Sequence, residues 1–98
     1  MNTENLIPAD AFCNSHSVEI TFIHTLGEYG LIEITELDNM SYIRVEQLRD
    51  IEKYLRLHYE LNINMEGIEA ITHLLERMSG LESEVVVLRN RLKRYEEL

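Results

Sequence analysis

The last third of this 98-residue chain dictates its own geometry. Ile71, Leu74, Met78, Leu81, Val85, Leu88, Leu92 and Tyr95 follow one another at steps of 3-4-3-4-3-4-3, the a and d positions of an unbroken seam over four heptads. Only a helix suits that spacing, and the pattern predicts one over residues 65–97. At about 1.5 Å per residue it is roughly 50 Å long, whereas a compact 100-residue domain has a radius of gyration of about 13 Å. Its far half therefore has to overhang. An overhanging apolar seam needs a partner helix, and with no other long helix in the sequence the expected partner is a second copy, giving a homodimer.

The charges beside the seam leave the direction of that pairing open. A parallel pair sets Arg77 against Glu82, Glu84 against Arg89 and Arg91 against Glu96. An antiparallel pair sets Glu82 against Arg89 and Glu84 against Arg91, equally attractive. Gly80, at a solvent-side c position, costs about 1 kcal/mol of helix propensity and is a place for a bend.

Charge is distributed unevenly along the chain. Of the net charge of −9, residues 1–43 supply seven carboxylates (Glu4, Asp10, Glu19, Glu28, Glu33, Glu36 and Asp38) and no Lys or Arg. Residues 44–98 hold eleven acids and nine bases. The acidity thus belongs to the first half. Nucleic acid is not the expected partner, because sequence-independent binding to it comes from Lys and Arg neutralising phosphates.

Other features exclude further classes. The single cysteine, Cys13, allows no internal disulfide and is too little sulfur for a Cys-rich zinc site. A start of Met1-Asn2-Thr3-Glu4 has no basic n-region, and the longest apolar run is Val85-Val86-Val87-Leu88. Neither a signal peptide nor a membrane span is therefore expected, and the chain reads as cytoplasmic. With 45% hydrophobic residues, intrinsic disorder is not expected either.

Before the seam, the residues spell out a small mixed unit. Leu6-Ile7-Pro8-Ala9-Asp10-Ala11-Phe12-Cys13 reads as a short helix with Pro8 in its first turn. Ser17 offers an N-cap for a second helix over about 18–29, which Gly30 stops. Two short helices joined by a tight polar turn form a candidate helix-turn-helix. Leu31-Ile32-Glu33-Ile34-Thr35-Glu36-Leu37 alternates with period two, Asp38-Asn39 supplies a turn, and Ser41-Tyr42-Ile43 returns as a second strand of a hairpin. A third helix over about 45–61 places Leu48, Ile51, Leu55, His58 and Leu61 on one face, and Asn62-Ile63-Asn64 breaks it. The division expected is a winged unit over 1–63 and a coiled-coil dimerisation helix over 64–98.

This order of elements resembles the MerR superfamily of winged helix-turn-helix proteins, in which a long helix ends the unit. The segment from Val18 to Ile32, with its Gly30-Leu31-Ile32 corner, lies where those regulators have a recognition helix. The chain is more closely similar to the CbpM-type chaperone modulators. That similarity rests on Ala11-Phe12-Cys13, on the same Gly30-Leu31-Ile32 corner, and above all on the stretch from Leu57 through His58-Tyr59-Glu60-Leu61-Asn62 to Ile68.

The MerR resemblance implies a DNA-binding regulator; the CbpM resemblance implies something else. DNA-binding members carry a basic-aromatic run on the recognition helix and an arginine in the wing, where this chain has His24-Thr25-Leu26 and Ser41. Phosphate contacts need cationic side chains, and this surface offers carboxylates. CbpM-type proteins bind the J-domain of a DnaJ-like or CbpA-like co-chaperone and keep it from stimulating a DnaK-type chaperone. J-domains present a basic second helix, which an acidic surface complements. The function so implied is non-catalytic inhibition of a co-chaperone; the alternative is a MerR-family transcriptional regulator binding DNA as a dimer.

Candidate site residues follow from these readings. Glu19, Glu28, Glu33, Glu36 and Asp38 form the expected acidic docking surface, which otherwise is a solvated face. Phe22 is either an exposed aromatic anchor beside them or core packing with Leu26 and Tyr29. Cys13 and His16 have the i, i+3 spacing of shared metal ligands, but two ligands fall short of a structural site, and Cys13 reads as a small core residue. His24, His58 and His73 read as surface or boundary positions. No phosphate loop, carboxylate pair or Ser-His-Asp order is present, so no enzyme, cofactor or metal is expected.

Overall fold

Leu6-Ile7-Pro8 is extended. In the computed structural model, which describes residues 5–97, these residues form strand β1 (Leu6–Pro8), and the first helix, α1 (Ala9–His16), begins only after them. The expectation of a helix from Leu6 is corrected here. The residue before a proline is pushed away from helical dihedrals, and Pro8 itself, at φ −57° and ψ 129°, is extended. A proline without an N–H is tolerated on an edge strand, which is what β1 is.

Ser17 also takes a different role from the one its sequence suggests. It sits in the left-handed region at φ 55° and ends α1, with the Val18 N–H donating to the Cys13 carbonyl at 2.9 Å. Helix α2 (Ile20–Glu28) instead starts from Glu19, with no side-chain cap. Its other end follows the expected chemistry. Gly30, at φ 74°, lets the Leu31 N–H reach back to the Leu26 carbonyl at 3.0 Å and its own N–H to Gly27 at 3.1 Å. Two otherwise orphaned carbonyls are satisfied by this left-handed turn.

Strands β2 (Ile34–Leu37) and β3 (Met40–Arg44) make the hairpin, paired Ile34 to Ile43 and Leu37 to Met40. Asp38 and Asn39 are both left-handed, at φ 49° and 63°, the two-residue turn that matches strand twist. β1 adds to the far side of β3, with Ile7 opposite Ile43, so the hairpin is part of a three-stranded antiparallel sheet in the order β1-β3-β2.

A 3-10 turn (Val45–Gln47) leads into α3 (Leu48–Leu55), which widens into a π-helical turn (Arg56–Glu60). The Leu61 N–H reaches back five residues to the Arg56 carbonyl, at 3.3 Å. That widening breaks the 3.6-residue period. Leu61, expected on the apolar face, is 63% exposed, whereas Leu57 packs against the core.

Helix α4 (Met65–Glu96) follows a left-handed Asn62. Asn64 is its cap: the side-chain oxygen accepts from the Gly67 N–H at 2.8 Å, and the backbone carbonyl accepts from Ile68. Ile63 Cγ2 would lie 2.6 Å from a Cβ at position 67, so any larger residue there forces Ile63 to shift.

The chain divides into two compact units, one ending at Ile68 and one starting at Glu69. In the first, Ile23, Leu26, Ile43, Ile51 and Ile68 have relative exposures below 2%, each such side chain contributing about 1.5–3 kcal/mol. They draw α2, β3, α3 and the first turn of α4 onto one core, with Phe12 and Cys13 of α1. In the second unit the seam is largely exposed: Ile71 is half-buried, and Leu74, Met78, Leu81, Val85, Leu88, Leu92 and Tyr95 are all exposed.

Candidate partner-binding surface

Asp10 stands on α1, and the other described acids of the first half lie on two elements, α2 with its flanks and the hairpin with its approach. Glu19 immediately precedes α2 and Glu28 ends it, roughly 13 Å apart at the rise of an α-helix. Glu36 lies on β2 and Asp38 in the hairpin turn. All four are exposed, as is Glu33 just before β2. Glu4 lies outside the described residues.

Glu33 differs from the others. Its carboxylate lies 3.6 Å from the Arg44 guanidinium. With its amide oriented to satisfy both groups, Gln47 donates to the Glu33 carbonyl at 2.9 Å and accepts from the Glu33 N–H at 2.8 Å. Residue 33 is thereby fixed and its charge offset by the first cation in the sequence. Glu19, by contrast, accepts a long bond from the Thr21 hydroxyl, at 3.4 Å, within its own exposed turn.

Phe22 belongs to the core, so the exposed-anchor reading is corrected: it is 7% exposed. α2 turns its ring inward onto the π-helical turn, where it stacks on His58 at 4.7 Å and meets the edge of Tyr59 at 5.7 Å. His58 is held in turn by a hydrogen bond between Nδ1 and the Ile63 carbonyl, 3.0 Å. His58 is therefore a packed aromatic at a boundary.

Cys13 and His16 are not brought into a site together. The His16 ring stacks on Phe12 at 4.2 Å, with Nδ1 3.1 Å from the Phe12 carbonyl oxygen. Cys13 is buried, and burial first, then the nearby Asp10 carboxylate, pushes its thiol pKa up. A thiol with less thiolate is a poorer nucleophile and a poorer ligand. Among the described residues there is no group of three His, Cys, Asp or Glu side chains able to hold a metal. No helix among them is long and apolar enough to cross a membrane.

A family model described as MerR HTH family regulatory protein matches residues 7–90, most of the chain. The chain belongs to this MerR helix-turn-helix family. Neither the curated proteins nor the solved structures compared with it gave a match. In the winged helix-turn-helix of this family α1 and α2 are the two helices and β2–β3 the wing, so Glu19 and Glu28 stand at the two ends of the second helix and Glu36 and Asp38 on the wing.

Three groups that shape this MerR-type surface were not legible beforehand. Arg44 and Gln47 lie beyond the acidic segment and come to Glu33 only because β3 and the 3-10 turn fold back along it. The Tyr29 hydroxyl donates to Glu66 Oε1 at 2.8 Å, closing the end of α2 onto the start of α4. Glu66 is held below the usual carboxylate range by its own backbone N–H and then by Tyr29. Nothing in the local sequence marks a pair 37 positions apart.

Proposed function

We propose that this protein is a non-catalytic chaperone modulator of the CbpM type, which binds the J-domain of a DnaJ-like or CbpA-like co-chaperone and inhibits its activity. The observation that carries the reading is the electrostatics of the recognition helix and wing. Glu19, Glu28, Glu36 and Asp38 are exposed there, and Arg44, the cation met at the end of β3, is engaged by Glu33. A MerR scaffold with carboxylates at its DNA-facing elements repels phosphates and attracts a basic protein surface.

The same reading assigns α4 to homodimerisation. Its exposed seam from Leu74 to Tyr95 is the kind of apolar stripe that a second helix covers. The co-chaperone it serves is cytoplasmic, and so is this protein. No metal, cofactor or membrane takes part.

Isothermal titration of the purified chain against an isolated J-domain, at several salt concentrations, tests the proposal. Binding that weakens as salt rises supports it. No heat of binding at low micromolar protein would sink it.

A further inference from the structure

Two open hollows run along the junction of α1 with α3. One, about 240 Å³, lies between Ile7, Ala11 and Ser15 on one side and Leu48 and Glu52 on the other. The second, about 310 Å³, lies between Val18 and the row formed by Leu55, Arg56, Tyr59 and Glu60. They share His16, whose ring lies flat against Phe12 and is fixed by its bond to the Phe12 carbonyl. The two hollows adjoin at this shared histidine, and together they form a trough. Along α3 and the π-helical turn it extends from Leu48 to Glu60, roughly 18 Å at a helical rise of about 1.5 Å per residue.

The trough has an apolar floor and a charged rim. Glu52, Arg56 and Glu60 follow one another at intervals of four residues, and among the described residues none of the three is in an ion pair. Their signs alternate: negative, positive, negative. A compact ligand cannot span such a row, but an amphipathic helix of about three turns matches it in length. The helix would lay its apolar face on the floor and an i, i+4, i+8 row of opposite signs against the rim.

We propose that this trough receives a basic amphipathic helix of the partner protein, with Lys or Arg opposite Glu52 and Glu60 and an acid opposite Arg56. The inference rests on the chaperone-modulator reading and names the surface on which the J-domain is held. The two surfaces then divide the work. The acids of α2 and the wing draw a basic partner in from a distance, and the trough, where contacts are desolvated, sets how long it stays.

The test uses the full chain and an isolated J-domain of the DnaJ or CbpA type in surface plasmon resonance. Ala11→Trp with Ser15→Trp fills the trough from exposed positions on α1, and Glu52→Lys with Glu60→Lys reverses its rim. Each pair is expected to weaken affinity at least about tenfold, mainly through faster dissociation, with native circular dichroism. Acidic residues placed on the J-domain's basic helix are expected to recover binding to the rim variant. If the tryptophan pair fails to fold, the rim pair and its recovery carry the test alone. Native affinity in folded variants of both pairs overturns the proposal while leaving the modulator reading in place. A shift of the tryptophan variant from dimer to monomer on a sizing column also overturns it, because the occupant is then a second copy. Failure of the native chain to bind any J-domain overturns the modulator reading itself, and the trough assignment with it.

Discussion

The Tyr29 hydroxyl donates to Glu66 Oε1 at 2.8 Å, tying the residue that ends α2 to the first turn of α4. Glu66 also lies at the positive end of the α4 dipole, where a carboxylate is favoured. One bond thus closes the end of α2 onto the start of α4 within the first unit.

This link is expected to titrate. Glu66 is held below the usual carboxylate range by its own backbone N–H first and the Tyr29 hydroxyl second. Because the folded-state pKa is the lower one, the stabilisation is present above the ordinary carboxylate pKa and is lost as pH falls through the depressed folded value. Tyr29→Phe should move the Glu66 carboxyl pKa part of the way back up, the backbone bond keeping the rest. Carbon-13 NMR titration of the Glu66 carboxyl checks this, and an unmoved midpoint would refute it.

The cap of α4 is open to a similar test. Asn64→Ala removes the acceptor for the Gly67 N–H and should cost about 1 kcal/mol of stability. Gly67→Ala should also destabilise, because the new Cβ meets Ile63 Cγ2 at 2.6 Å. Urea unfolding followed by circular dichroism reads both; midpoints equal to the native one would contradict the cap.

Core and acidic surface should separate cleanly in mutagenesis. Ile51, fully buried, anchors α3 to the core, and Ile51→Ala should cost about 2–5 kcal/mol. Glu19→Lys with Glu28→Lys, both exposed, should leave the unfolding midpoint near native while slowing association with a J-domain, most steeply at low salt. Stopped-flow association rates decide the second part; unchanged rates would move the steering surface elsewhere.

The seam predicts a sizing result. Leu81 and Leu88 are 58% and 54% exposed, so Leu81→Asp with Leu88→Asp should not disturb the core of the first unit. It should convert dimers to monomers on a calibrated column. A native elution volume would refute dimerisation through this face.

What the sequence made legible was whatever rests on local periodicity or on a single special backbone position. The heptad steps marked α4, Gly30 marked the end of α2, and Asp38-Asn39 marked the hairpin turn, each because the physics acts within a few residues. Ser17 ends α1 rather than starting α2, because a serine between two helices is equally placed for either role. Leu6–Pro8 is a strand rather than a helix because it pairs with β3, more than thirty positions away, which local sequence does not reveal. Leu61 was lost to a π-helical turn that shifts the period, and Phe22 was settled only by the rings of His58 and Tyr59 beneath it. For the candidate surface, the acids could be read from the chain, but the pairing of Glu33 with Arg44 required the fold.

The proposed restraint of a J-domain by this MerR-family chain has a direct catalytic readout. The most direct measurement is the steady-state ATPase rate of a DnaK-type chaperone stimulated by its J-domain co-chaperone, with increasing amounts of this protein. The stimulated rate is expected to fall towards the unstimulated one, and added salt to weaken the inhibition. A stimulated rate unchanged at saturating protein, together with retention of the chain on a heparin or DNA column near physiological salt, would contradict it.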